Sequence, residues 1–302
     1  MVSQARRLGG AGTLAAPSAP PGRRRGRWLR ALAYAILIAY AVVMFVPFAW
    51  SVITSFKTLP DSVRLSFIPQ PFTLEGWHEA VQTLTPPLPL IFLNSFAIAG
   101  AVTLTNVVLG SLAGYAFARL RFPGRELLFL IVLGTLMMPD QLRVIPVYLI
   151  LKTFGLTAGF GQYVGVVVVA AIAGTSIFFL RQYFLSIPRD LEEAARMDGA
   201  GFFTTFWRVM LPLATPAIAA VAILQFQGSW NSFFWPVILL QDNAKKTIPV
   251  ALYTFRTLSS GFSTNWPPLM AVIVAATIPI LILYIFFQRY FVEGLAASGV
   301  KG

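Results

Sequence analysis

The sequence predicts an all-α polytopic membrane protein: six transmembrane helices, with one short charged helix set between spans four and five. Three observations carry that prediction. Hydrophobic residues make up 57% of the 302 residues and charged residues only 11%, whereas soluble domains carry about 25% charged residues. A chain this poor in charge cannot cover a water-facing surface, but lipid can solvate it. The charges are also gathered together. No Asp, Glu, Lys or Arg lies between Arg30 and Lys57, Glu79 and Arg119, Lys152 and Arg181, Arg208 and Asp242, or Arg256 and Arg289. Each gap exceeds the roughly 20 residues that a bilayer-spanning helix needs. Finally, one stretch breaks the apolar pattern. Glu192, Glu193, Arg196 and Asp198 crowd into "EEAARMD" in the middle of the chain.

Residues 1–29 are rich in Ala, Gly, Pro, Ser and Arg, end in "GRRRGRW", and read as a disordered basic tail. The six-helix domain then fills residues 30–302. The apolar run Ala31–Phe56 is longer than the core of a secretory signal and reads as an uncleaved first span, near 31–53. Span two is expected near 91–117, span four near 161–181, span five near 211–233 and span six near 268–289. Span three, near 125–147, is the short one. Its uncharged part, Leu127–Pro139, is about 20 Å long as a helix against a hydrocarbon core of about 30 Å. It must therefore carry Asp140 and Arg143 close to one interface, where their spacing of three lets them pair. Gly110 with Gly114, and Gly161 with Gly165, have the small-xxx-small spacing of packed membrane helices.

Six spans put both termini on one side. Sixteen of the 23 Lys and Arg residues fall on that side, in the N-terminal tail, in the loops after spans two and four, and at the C-terminal end. The positive-inside rule makes that side cytoplasmic, and with it the charged helix. The net charge of +12 thus follows topology. A polybasic tail suits an anionic bilayer surface, and no nucleic-acid partner is expected. The absence of Cys and the single His78 exclude a disulfide framework and a Cys- or His-rich metal site. No nucleophile–base pair and no glycine-rich phosphate loop are legible, so catalytic and metal-binding residues are expected to be none.

The charged stretch has its own logic. Pro188 stops a helix arriving from span four. Asp190 is expected as N-cap with Glu193 at the third helical position, as in a capping box. The acidic residues lie at the positive end of the helix dipole, and Gly199 suits a left-handed stop. "DLEEAARMD" then forms one short helix. "FFTTFWRVM" forms a second, interfacial helix through Phe202, Phe206 and Trp207, and Leu211-Pro212 leads into span five. Ala194 and Ala195 are small enough to seat the first helix deeply in a groove of another protein, with the flanking charges fixing its orientation, and the same residues suit an ordinary cytoplasmic amphipathic loop equally well.

Glu193-Ala194-Ala195, Asp198-Gly199-Ala200 and Leu211-Pro212 together resemble the EAA loop of permease subunits in binding-protein-dependent, ATP-driven (ABC) importers. The C-terminal "QRYFVEGLAASGVKG", Gln288–Gly302, resembles the tail of the maltose-type second permease subunit of carbohydrate importers, with Ala296 where Thr is usual. "WNSFFWP", Trp230–Pro236, resembles the same family late in span five. The resemblance covers about residues 30–302. It implies a sugar-importing permease in a bacterial cell membrane, working as a heterodimer with a second permease subunit. It also implies two cytoplasmic ATPase subunits, which hold the ATP and Mg, and an extracytoplasmic solute-binding protein. No cofactor is expected on this chain. Glu193, Ala194, Ala195, Asp198, Gly199 and Ala200 are the implied coupling residues toward the ATPase.

For the translocation path, Gln227, Trp230, Asn231 and Phe234 are the candidates. Gln227 and Asn231 share a helix face, and their amides suit sugar hydroxyls. Trp230 and Phe234 could stack on a sugar ring, although Trp230 and Trp235 equally suit an interfacial aromatic belt. The external loop Gln241–Pro268 is equally a candidate dock for the binding protein or a passive connector, and the tail Glu293–Gly302 is a candidate contact for the ATPase. The alternative is an ion-coupled secondary transporter. Such proteins place acids, His or broken helices inside the membrane, and five of the six expected spans have no ionisable residue at their centre.

Overall fold

The computed structural model describes residues 23–82, 85–258 and 264–299, and among them every regular element is helical. The chain divides into two units, residues 1–49 and 50–302. The first holds most of α1 (Arg23–Thr54). From Ala31 to Val46 this helix is apolar on all faces, and Leu37, Ile38 and Val43 are exposed along it, as expected of a membrane-spanning helix. Of the expected tail, residues 1–22 lie outside the described residues. The basic run from Arg23 instead forms the first turns of α1.

In the second unit, α2 (Leu59–Ser62) and α3 (Glu75–Gln82) are short, and α4 (Leu88–Arg119) is the long central helix. There follow α5 (Arg125–Met137), α6 (Asp140–Thr153), α7 (Gly161–Ala170), α8 (Gly174–Ser186) and α9 (Asp190–Met197). Next, α10 (Phe202–Thr205) runs through a π-helical turn, Phe206–Met210, into α11 (Leu211–Leu213). The unit closes with α12 (Thr215–Trp230), α13 (Phe234–Leu239), α14 (Ile248–Leu258) and α15 (Trp266–Gly299).

Three unbroken helical stretches are long and apolar enough to cross a membrane: Trp28–Thr54, Leu88–Arg119 and Trp266–Phe287. The other three expected spans are broken. α5 and α6 meet at 108°, α7 and α8 at 44°, and Phe202–Leu213 meets α12 at 75°. Counting each bent pair as one span gives six. The sharpest bend falls at Met138-Pro139, where proline removes a helical N–H and pushes the preceding residue out of the helical region; Met138 is extended at ψ 115. The Asp140–Arg143 pair expected there is present, with Arg143 Nε donating to Asp140 Oδ1 at 2.9 Å.

Three buried clusters meet on α4. Near its start, Ile91 and Ala99 pack with Trp230, Ala251 and Val272. In its middle, Ile98 and Val102 pack with Leu151, Val166, Trp235 and Leu239. At its end, Tyr115 and Ala118 pack with Leu180, Phe184, Phe206 and Met210. The expected glycine seam lies in that last region. A Cβ on Gly114 would sit 2.9 Å from Leu180 Cβ and 3.0 Å from the Arg181 backbone nitrogen. Only glycine lets α4 and α8 cross so closely. Gly161 and Gly165 behave otherwise. A Cβ there would strike the Gly155 and Leu156 carbonyls, so they admit a loop lying over α7 and make no seam between helices.

The break between α7 and α8 exposes backbone groups at a depth where hydrocarbon offers no partners. Asn106, fully buried on α4, supplies them. Its Nδ2 donates to Ala170 O at 2.6 Å, and its Oδ1 accepts from Ala173 N at 2.7 Å and Ser176 Oγ at 3.1 Å. Each buried group left unmet costs about 1–3 kcal/mol. Asn106→Leu, which strands three of them, is therefore expected to lower the unfolding temperature of the detergent-solubilised chain by several degrees or abolish its accumulation. An unchanged melting curve would show that the break is satisfied in another way.

Candidate functional site

α9 stands between α8 and α10 as a two-turn helix. Its start differs from the expected capping box. Arg189 is the N-cap and is already helical at φ −70 and ψ −26, while Asp190 is the first helical residue and no side chain caps the end. The N–H groups of Glu192 and Glu193 bond instead to Arg189 O at 2.9 and 3.1 Å. Backbone turns thus satisfy donors that a capping side chain would have met.

The end of α9 agrees with the sequence. Gly199 sits at φ +84, a conformation that costs glycine nothing. Its N–H bonds to Arg196 O at 3.0 Å, and the Ala200 N–H reaches back to Ala195 O at 2.9 Å, which is the paired pattern of a Schellman stop. Glu193, Ala194, Asp198 and Gly199 are exposed, and Ala195 and Ala200 are half-buried. Large apolar groups surround them in the open: Met197 is 88% exposed and Phe203 78% exposed. Soluble surfaces seldom gather apolar groups of this size in one place unless a partner covers them.

The inner face of α9 carries a residue pair that sequence reasoning missed. Glu192 is buried, with Oε1 3.2 Å from Arg119 Nε, and both side chains are less than a tenth exposed. The contact is ionic and lacks the alignment of a hydrogen bond. Arg119 also donates to Phe184 O at 2.6 Å and to Ile187 O. One guanidinium at the end of α4 therefore grips the carbonyl end of α8 and the acid of α9 together. The acidic doublet was visible in the sequence, but its partner is far away along the chain and no local pattern links them.

The segment after α9 also departs from expectation. Phe206 is not interfacial. The π-turn directs Phe206 and Met210 into the buried cluster with Tyr115 and Phe184, and leaves Phe202 and Trp207 exposed. Between α4, the start of α5, α9 and α10 lies a cavity of about 820 Å³.

Of the expected path residues, Gln227 and Asn231 are exposed and adjacent, with Asn231 Nδ2 donating to Gln227 O at 2.9 Å. Phe234 is half-buried. Trp230 is buried at 2% exposure among Phe92, Phe96 and Phe226, and its indole N–H donates to Ala276 O at 3.2 Å. It packs α12 against α15 and presents no free ring face. Trp235 is likewise buried.

The segment after Gln241 is held to α4. Asn94 Nδ2 donates to Ala244 O at 2.8 Å and Lys246 O at 3.1 Å, and Ser95 Oγ accepts from Ile248 N at 2.9 Å. The Ala244 N–H and the Lys245 ammonium hold the Asp242 carboxyl below the usual carboxylate range. Much of the expected connector is the helix α14, and residues 259–263 lie outside the described residues. The side chains of Glu293–Gly302 also lie outside them.

Comparison with known proteins agrees with this architecture. Residues 106–296 match the family model described as "Binding-protein-dependent transport system inner membrane component". The chain is 35% identical over 278 residues to the arabinooligosaccharides transport system permease protein AraQ of Halalkalibacterium halodurans, covering 90% of this chain and 97% of that one. It is 32% identical over 238 residues to the sn-glycerol-3-phosphate transport system permease protein UgpE of Yersinia pestis, covering 78% and 83%. In fold it is similar to a chain of a bacterial ABC transporter involved in import of the acidic polysaccharide alginate. That match has a TM-score of 0.77 at 24% identity and covers 91% of this chain and 100% of that one.

Proposed function

That the chain belongs to the binding-protein-dependent transport system inner membrane components is the premise from which we propose its work. It is a permease subunit of an ATP-driven importer, and it couples solute passage to cytoplasmic ATPases through α9. The subunit is not itself a catalyst. A second permease completes the path, two ATPase subunits bind and hydrolyse ATP with Mg, and an extracytoplasmic binding protein delivers the solute. Both termini and α9 lie in the cytoplasm, in keeping with the bias of basic residues. The named relatives carry arabino-oligosaccharides and glycerol 3-phosphate, so the solute here is a sugar or a sugar-like polyol derivative.

The observation that carries the reading is the exposed Glu193-Ala194 face of α9, ended by the left-handed Gly199 and backed by the Arg119–Glu192 grip. Such a knob fits a groove, and its rigid backing can transmit a push. A cysteine at position 194, crosslinked in the assembled complex, should capture the ATPase in a manner that changes with bound nucleotide. Crosslinks that never reach the ATPase in a fully assembled importer would refute the coupling role.

On the path, Gln227 and Asn231 offer exposed amides on one face of α12. Asn231→Ala and Gln227→Ala are expected to raise the half-saturating solute concentration for uptake several-fold each, by roughly one hydrogen bond of about 1 kcal/mol. Uptake kinetics identical to the parent would remove both residues from the path.

A further inference from the structure

The cavity of about 820 Å³ lies beside α9, and of the proposed coupling residues only Glu193 lines it. Its charge is strongly one-sided. Five guanidiniums line it, those of Arg119, Arg121, Arg125, Arg189 and Arg196, against the carboxylates of Glu192 and Glu193. Glu192 is committed to Arg119, and Arg125 is paired outward with Glu126 at 2.7 Å. Arg121 and Arg189 form no ion pair with a described residue, and Arg196 lies 5.2 Å above the Phe202 ring. Three guanidiniums thus line one space in which Glu193 is the one uncommitted carboxylate, and Arg121 and Arg189 also line a second pocket that holds Glu126. Closely spaced like charges repel strongly unless an anion or solvent compensates them.

The walls identify the kind of anion. Leu112 and Ala116 lie on the last turns of α4, within the span, and Phe122 and Phe202 also line the cavity. Phe202, Phe203 and Trp207 are exposed beside it, as apolar and aromatic side chains are at a bilayer interface. The lining is therefore part apolar and part cationic. A free phosphate would use only the cationic side chains, and an acidic protein loop would leave the apolar ones uncovered. An amphiphile with an anionic head matches both.

We propose that this cavity binds the headgroup of an anionic phospholipid of the cytoplasmic leaflet, its phosphate set among Arg121, Arg189 and Arg196 and its glyceryl end along Leu112 and Ala116. The proposal rests on the cytoplasmic placement of α9 given above. It makes the setting of the coupling helix sensitive to the charge of the surrounding membrane. Arginine suits the site because its planar fork meets two phosphate oxygens at once.

The test uses the full chain assembled with its partner subunits in nanodiscs, with phosphatidylglycerol or phosphatidylcholine as the probe lipid and retained lipid read by native mass spectrometry. The parent complex should retain phosphatidylglycerol and not phosphatidylcholine. Arg121→Gln combined with Arg189→Gln should weaken retention about twenty-five-fold, at about fivefold for each arginine near an anionic surface. Arg121→Lys with Arg189→Lys should restore part of it, which separates charge from misfolding. Equal retention of the two lipids would overturn the proposal. So would displacement by inorganic phosphate alone, which assigns the site to a free anion. Retention seen only when the ATPases are absent would also overturn it, because the cavity would then be an ATPase-facing surface. Labelling of Arg121→Cys from the outside, measured in parallel, would instead sink the orientation, so the two failures are separable.

Discussion

Ala194→Arg is expected to abolish solute uptake while leaving the chain folded, inserted and able to pair with its partner permease. Ala194 is exposed on α9 and the backbone there is regular helix. Arginine is nearly as good a helix former as alanine, and exposed substitutions of this kind shift stability by only about 0.5 kcal/mol. The isolated chain should therefore melt as the parent does. On the proposed coupling role, the same position lies at the centre of a close contact in the assembled importer. A long charged side chain forced into it, without a partner, costs about 3 kcal/mol or more, which is at least a hundredfold in docking. Ala195→Arg should act in the same direction with some loss of stability, because Ala195 is half-buried. The checks are uptake of labelled solute and co-purification of the ATPases. Full uptake by Ala194→Arg in an intact complex would mean that α9 seats in nothing.

The parts of this architecture that the sequence announced are those where one residue type suffices. Charge-free runs located the spans because lipid penalises every charge alike, and Gly199 marked the helix stop because the left-handed region excludes most other residues. Gly110 and Gly114 announced the α4–α8 crossing for a similar steric reason. The hidden parts depend on pairs far apart in the chain. Asn106 reads as an ordinary polar residue in span two until the break between α7 and α8 is brought against it. Glu192 and Glu193 are adjacent and chemically identical. Which one turns inward is decided by Arg119, 73 positions upstream of Glu192. The bends were hidden for a different reason. Proline in a membrane helix can kink it gently or break it, depending on whether neighbours re-satisfy the freed carbonyls. Pro279 lies inside the continuous α15, while Pro139 sits at a 108° bend.

Arg119→Met is the second large effect, and it tests whether α9 is mechanically tied to the spans. The substitution leaves the Glu192 carboxylate buried without a cation and removes the donor to the Phe184 and Ile187 carbonyls. Breaking one side of a buried ion pair costs about 3–5 kcal/mol, a large fraction of the 5–15 kcal/mol that holds a typical domain together. A marked fall in unfolding temperature and in assembled importer is expected. Glu192→Met alone should cost less, because Arg119 keeps its two carbonyl acceptors. The double variant, Arg119→Met with Glu192→Met, should recover much of the stability, because no lone charge remains buried. The difference between the double variant and the two single ones measures the pair itself, by about 0.5–3 kcal/mol for groups in contact. Uptake should not recover with it. Without the grip, α9 keeps its helix, its Schellman stop and its exposed Ala194, so on the proposed coupling role the ATPase can still dock and hydrolyse ATP. Its movement then reaches α4 and α8 only through apolar contacts that can slip. The expected state is a stable complex that hydrolyses ATP without importing. If the double variant instead imports at the parental rate, the Arg119–Glu192 pair serves folding alone and the push from α9 travels through the Phe206–Met210 turn.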